Sequence, residues 1–195
     1  MAAKRVETIR AFVALDLESM SLRRVTRVSD RLRMGSGAPS ATWTPAAQLH
    51  VTLKFMPALP GEAVAPLGKA LGKLAEGLQA PAPSPMRLDA FPSIDAATVV
   101  VVELQDADGA MGRLATKIDK LANKHGVPLE KRAFRPHVTL ARLKRPYDAT
   151  RWLRQELTEG AGECRASSLT LYRSDLSPEG ATYVPLARFE LVATG

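Results

Sequence analysis

The chain has 195 residues, of which 46% are hydrophobic and 24% charged, and a formal net charge of +7. That is enough apolar material for one domain, or two small lobes sharing a core, and it excludes a disordered or fibrous chain. The positive balance favours an anionic partner such as nucleic acid, while an aromatic share of 5% argues against an extended base-stacking platform.

Residues 1–10 are polar and basic, and the apolar run at 12–15 is cut at Asp16, too short for a secretory signal. Residues 9–17 read as a buried strand. Ser19 or Ser21 is placed to cap a helix whose apolar face is Leu22, Val25, Val28 and Leu32. A turn-rich loop at 35–40 and a short extended piece from Trp43 lead to a strand at 49–55, which residues 57–61 break. A second helix carries Val64, Leu67, Leu71, Leu74 and Leu78 at spacings of three and four. After a turn at 81–85, strands at 86–91 and 98–104 are joined by a loop around Asp95. The run Val99, Val100, Val101, Val102 predicts a strand covered on both faces.

A third helix shows Met111, Leu114, Ile118 and Leu121 on one side and stops near Gly126, a left-handed terminator. His125, in its last turn, reads as a solvated cap. A strand follows at 134–142. Asp148 then caps a fourth helix bearing Trp152, Leu153 and Leu157 and ending by Gly160. Cys164, the single cysteine, excludes an internal disulfide and reads as a small packing residue in a reducing compartment. Strands at 168–174 and 183–192 close the chain around the turn Ser177-Pro178-Glu179-Gly180. No apolar stretch approaches the ~20 residues of a membrane helix. A soluble cytoplasmic protein without a membrane partner is expected.

Two of the three histidines head identical tetrapeptides, His50-Val51-Thr52-Leu53 and His137-Val138-Thr139-Leu140, 87 positions apart. The same offset lays Phe12-Val13-Ala14-Leu15-Asp16-Leu17 on Val99-Val100-Val101-Val102-Glu103-Leu104. Each copy therefore runs strand, helix, loop, tetrapeptide strand, helix. The fold class that follows is α+β: a bilobal pseudo-two-fold repeat in one domain spanning 1–195. Each lobe is a mainly antiparallel sheet with helices on its outer face, and the active-site cleft lies between the lobes.

Side chains alternate along a strand, so His50 and Thr52 share one face, and His137 and Thr139 share another. Lobes that face each other then present two imidazoles and two hydroxyls to one cleft. An imidazole titrates near pH 6.5, so one ring can accept a proton from water while the other donates to a leaving oxygen. Threonine hydroxyls can hold the non-bridging oxygens of a phosphate. One His-Val-Thr-Leu alone is ordinary strand composition. Two copies in register within a longer repeat argue for chemistry.

Two histidines, one distant cysteine and no clustered carboxylates make a poor metal-ligand set. No His-Glu-x-x-His or Gly-x-x-x-x-Gly-Lys pattern is present. Metal-independent turnover without a cofactor is expected. Between 131 and 147 stand six basic residues, Lys131, Arg132, Arg135, Arg142, Lys144 and Arg145, and no acid. This run either lines a cleft for RNA phosphates or is a solvated face. Arg132, before the strand mouth, is the member best placed to bind.

These residues resemble the RNA 2',3'-cyclic phosphodiesterases, or 2'-5' RNA ligases, of the two-histidine phosphoesterase superfamily. The resemblance rests on Phe12-Val13-Ala14-Leu15-Asp16, on Trp43 with the block at 49–55, and on Phe91-Pro92. It extends over the block at 132–142, Leu171-Tyr172-Arg173-Ser174, Gly180 and Tyr183. It implies hydrolysis of a terminal 2',3'-cyclic phosphate to a 2'-phosphomonoester, with His50 as proton donor, His137 as proton acceptor, and Thr52 and Thr139 on the phosphate. Some relatives set an aromatic at Phe55 against the nucleobase, whereas strict alternation sends Phe55 to the core unless a bulge at Lys54 frees it. Met56-Pro57 stands where relatives more often carry Leu-Gly, a departure at the expected cleft rim. The implied partner is RNA with 2',3'-cyclic phosphate ends, or a related small nucleotide, met by a monomer. The same residues admit action on 2'-5' linkages or small cyclic nucleotides, and, from another class, a non-catalytic RNA-binding module.

Overall fold

Runs of β-branched and aromatic residues form the strands, and three amphipathic helices cover them. The coordinates are a computed structural model that describes residues 7–35, 38–154, 162–178 and 180–193. The elements run β1 (Thr8–Leu17), α1 (Ser19–Met34), β2 (Ala41–Trp43), β3 (His50–Pro60), α2 (Val64–Ala75), β4 (Ser84–Phe91), β5 (Ala97–Gln105), α3 (Ala110–Asn123), β6 (His137–Tyr147), β7 (Ala166–Ser177) and β8 (Gly180–Glu190). The architecture is α+β, as the repeat predicts. Eight strands form one sheet in the order β4-β5-β6-β3-β1-β7-β8, with β2 attached to β6.

The order carries the repeat. Strands β3 and β6 have bounds 87 residues apart and lie at the centre, flanked by β1 and β5, then by β7 and β4. The halves join where β3 pairs antiparallel with β6 at Val51 and Val138, which are 2% and 0% exposed. Each half also reaches across. From the first half, β2 pairs with β6 from Ala41 opposite Leu143 to Trp43 opposite Ala141. From the second, Asp119 on α3 and the Pro128 carbonyl (2.9 Å) hold the buried ammonium of Lys54 on β3.

The helices bury the faces their spacing predicts. Val25 and Leu32 of α1, Leu67 and Leu71 of α2, and Met111, Leu114 and Ile118 of α3 are all buried. Gly72 lets α2 settle on β8, since a Cβ there would stand 2.9 Å from the Phe189 ring. The Val99–Val102 run behaves as predicted: Val100, Val101 and Val102 are 0–1% exposed in the middle of the sheet.

Local details differ from the sequence expectation. Because α1 follows β1 directly, the N-cap position falls on Glu18. Ser21 lies inside the first turn, where its hydroxyl donates to Glu18 Oε1 (3.4 Å) and the Glu163 carbonyl (3.3 Å). Helix α2 ends at Ala75, so Leu78 packs against the core from the turn beyond it. Pro57 does not break β3, which runs on to Pro60. Its β1 register shifts between Met56 and Leu59, and β6 is paired only at Val51, so proline's missing N–H is not needed there. Asp148 Oδ1 accepts the Thr150 N–H at 3.0 Å, as a cap would, and a 3-10 turn follows at Trp152–Arg154. Leu157, Gly160 and Glu179 lie outside the described residues. Among the described residues no helix is long and apolar enough to cross a membrane.

The Lys54 tie sets a test of how the halves are locked. Removing one member of a buried ion pair strands the other charge, and Lys54, at 5% exposed, is costlier to strand than Asp119, which is 18% exposed and still accepts the Glu130 N–H. Asp119→Ala is expected to lower unfolding stability by about 3 kcal/mol, and Lys54→Met by less than about half of that. Urea denaturation followed by circular dichroism measures both, and equal losses would exclude the lysine as the costlier charge to strand.

Candidate active site

The site forms at the β3–β6 junction. With Val51 opposite Val138 in an antiparallel pair, one residue either way sets His50 across from Thr139 and Thr52 across from His137. Strand alternation turns these four side chains to one face and Val51, Val138, Leu53 and Leu140 to the core. The two histidines are diagonal neighbours, a relation that separates residues by roughly 7–8 Å. This distance admits one tetrahedral phosphate with a hydrogen bond on each side.

Both strands then bulge. On β3, Thr52 pairs with Ala14 and Lys54 with Val13, leaving Leu53 without a partner on β1. On β6, Thr139 pairs with Val101 and Ala141 with Val100, leaving Leu140 unmatched on β5. Each extra residue reverses the alternation. Lys54 and Ala141 turn inward, and Phe55 and Arg142, 87 positions apart, turn outward. Phe55 is 38% exposed, with the Arg10 guanidinium 4.4 Å from its ring centroid.

The imidazoles are anchored alike. His50 Nδ1–H donates to the Gln48 carbonyl and His137 Nδ1–H to the Arg135 carbonyl, each at 2.7 Å. Each carbonyl can only accept, so the proton sits on Nδ1 and Nε2 is left for chemistry. In the neutral His50, Nε2 accepts the Thr52 hydroxyl at 3.1 Å. His50 stacks on Phe12 (4.9 Å), which stacks on Tyr172 (5.1 Å), and Tyr183 meets it edge-on. His137 is braced edge-on by Phe91 at 5.0 Å.

A cleft of about 530 Å³, including the solvent at its mouth, opens over these groups. His50, Thr52, Thr139 and Phe55 line it, together with Arg10, Arg142 and Tyr183. His137 stands beside this space and acts electrostatically on His50. Burial pushes both imidazoles below the ordinary histidine value. At His50 the Gln48 carbonyl and Asp16 oppose this shift, while His137 and Arg142 add to it. At His137 the Arg135 carbonyl and Glu103 oppose it, while the charges of Arg135 and Arg142 add to it.

Arg132 is exposed on the loop before β6 and does not line the cleft. Arg142 from the same basic run does, because the bulge at Leu140 aims it there. Met56 is fully buried and neither it nor Pro57 lines the cleft, so that departure from the family pattern is not at the rim. His125 closes the turn after α3 through its backbone. Cys164 is buried, and desolvation pushes its thiol up to about 11. Among the described residues no group of three or more His, Cys, Asp or Glu is placed to hold a metal ion.

Sequence reading passed over Asp16 and Glu103. They sit in β1 and β5 opposite His50 and His137, one in each half. The signal was available, since the 87-residue offset aligns them. Arg10 left no such trace, and Tyr183 entered only with the family resemblance, because the fold alone brings their side chains to the cleft.

The fold is shared by solved structures. A protein of Thermus thermophilus superposes with a TM-score of 0.75 at 25% identity, over 94% of this chain and 98% of that one. Escherichia coli LigT complexed with 3'-AMP shares the fold at a TM-score of 0.67 and 21% identity, over 95% and 99%. Among curated proteins, an RNA 2',3'-cyclic phosphodiesterase of Aeropyrum pernix is 29% identical over 75% of this chain and 84% of its own length. Another of the same name, from Methanothermobacter thermautotrophicus, is 27% identical over 94% and 99%. The pattern of the 2'-5' RNA ligase superfamily matches residues 21–178, both tetrapeptides included, and the chain belongs to that superfamily.

Proposed function

We propose that this protein is an RNA 2',3'-cyclic phosphodiesterase, opening a terminal cyclic phosphate to a 2'-phosphomonoester. One observation carries the reading: two imidazoles, each with Nδ1 tied to a backbone carbonyl, flank the same backbone pair alongside two threonines. The relatives named above for this activity, and the nucleotide bound by Escherichia coli LigT, support RNA ends or small nucleotides as ligands. The reading includes a monomer acting in the cytoplasm.

In this mechanism His137 Nε2 takes a proton from water as the water oxygen attacks phosphorus. The bond from phosphorus to O3' breaks, and His50 Nε2–H delivers its proton to that oxygen. Donor and acceptor are assigned here by the family resemblance. Thr139 donates to a non-bridging oxygen. Thr52 joins it once His50 is protonated, because Nε2 then no longer accepts the Thr52 hydroxyl. Phe55 meets the terminal base, and Arg132 meets RNA phosphates beyond the cleft. No step requires a metal ion.

The decisive assay follows products from an oligoribonucleotide with a 2',3'-cyclic end, beside a 2'-5' dinucleotide and a free cyclic nucleotide. His50→Ala and His137→Ala are each expected to lower turnover about 100- to 10,000-fold while leaving the circular dichroism spectrum intact. Near-normal activity in either variant would end the reading.

The pH dependence has a definite sign. Activity is gained as pH rises through the pKa of the acceptor and lost as it rises through that of the donor. Both rings are held below 6.5 in the free protein. The kcat/KM profile is therefore expected to peak below pH 6.5 and to fall between pH 6.5 and 8. A plateau across that interval would contradict the assignment. Turnover is also expected to survive dialysis against EDTA. Loss on chelation with recovery on adding a divalent ion would refute the metal-free scheme.

A further inference from the structure

The repeat makes the two imidazoles equivalent in backbone, anchor and neighbouring threonine, yet general acid–base turnover needs them in opposite protonation states. What differs is the company of the two equivalent carboxylates. Asp16, opposite His50, is bound by uncharged donors: Ser168 Oγ and Thr170 Oγ1 to Oδ2, both at 2.7 Å, and Tyr172 Oη to Oδ1 at 2.8 Å. Among the described residues no cation forms an ion pair with it. Burial and the Asp16 carboxylate push the Tyr172 phenol up to about 12, so it stays a donor.

Glu103, opposite His137, is gripped by cations. Arg87 Nε lies 2.7 Å from Oε2, and Arg135 Nη2 lies 2.9 Å from Oε1. Arg135 is held further by Asp89 at 2.9 Å. Its guanidinium lies 4.7 Å from the Phe91 ring centroid, and that ring meets His137 edge-on. So His137 has a fixed cation beside it and a carboxylate shared between two arginines.

We propose that Asp16 and Arg135 are positioning residues that break the symmetry of the repeat electrostatically. The carboxylate of Asp16 favours a proton on His50, and Arg135, clamped by Glu103 and Asp89, disfavours one on His137. The proposal rests on the two-histidine reading and supplies a physical reason for its donor and acceptor. Of the remaining charged neighbours, Arg142 acts on both rings and so does not separate them. The charge of His137 lowers His50 and so opposes Asp16, and the rings of Tyr172 and Tyr183 pack against His50. Arg87 and Asp89 reach His137 only through the Glu103–Arg135 cluster.

The test reads the imidazoles directly, by NMR titration of the His50 and His137 Cε1–H resonances without substrate. Asp16→Asn is expected to move His50 to lower pH and leave His137 nearly in place. Arg135→Gln, which keeps the backbone carbonyl, is expected to move His137 to higher pH and leave His50 nearly in place. Tyr172→Phe removes one hydrogen bond but keeps the carboxylate and the ring stack, so His50 stays at or above its wild-type midpoint. An unmoved His50 in Asp16→Asn, or an equal drop in Tyr172→Phe, would reduce Asp16 to a structural part. An unmoved His137 in Arg135→Gln would overturn the proposal even if Asp16→Asn fails to fold. Because no turnover is involved, failure here is distinct from failure of the activity reading, which the alanine variants decide.

Discussion

The architecture depends on one backbone pairing, Val51 opposite Val138, by which β3 meets β6. An antiparallel ladder fixes which residues face each other, and the two-residue period fixes which side they face. A slip of either strand by one residue would drive its histidine into the core and expose its valine on the cleft. The register is held by apolar burial on the other face, where Val51, Leu53, Val138 and Leu140 are at most 6% exposed. Crossing segments reinforce it, with β2 laid on β6 and Lys54 tied to Asp119.

Around that pairing the backbone is symmetric and the side chains are not. The same bulge recurs in both halves and turns outward an aromatic ring in one and a guanidinium in the other. The same histidine anchor recurs, with a carboxylate opposite each ring, but hydroxyls hold one carboxylate and arginines the other. A duplicated scaffold thus places two like groups on one face of a strand pair and gives them unlike charged surroundings.

Much of this was legible in the chain. The helices showed in apolar spacings of three and four, and β5 in its four valines. The paired site showed because period-two alternation ties His50 to Thr52 and His137 to Thr139 wherever the strands lie. Other features were not. The bulges leave no mark in composition, so Phe55 counted by strict alternation falls in the core. Pro57 looked like a strand end because the loss of β6 as a partner beyond Val51 is a tertiary fact. Arg132 looked like the basic residue of the cleft, yet Arg142 reaches it, since the strand bulge and not position in the run aims the side chain.

The chain alone determined the element types, the two-fold repeat and the four polar groups bound for one surface, because these follow from local periodicity and an internal match at a fixed offset. Only the tertiary structure decided that β3 and β6 are neighbours, which residues the bulges turn outward, and which carboxylate is paired with arginines. Those outcomes depend on pairings between residues far apart in sequence, where burial and hydrogen-bond satisfaction are settled for the whole sheet at once.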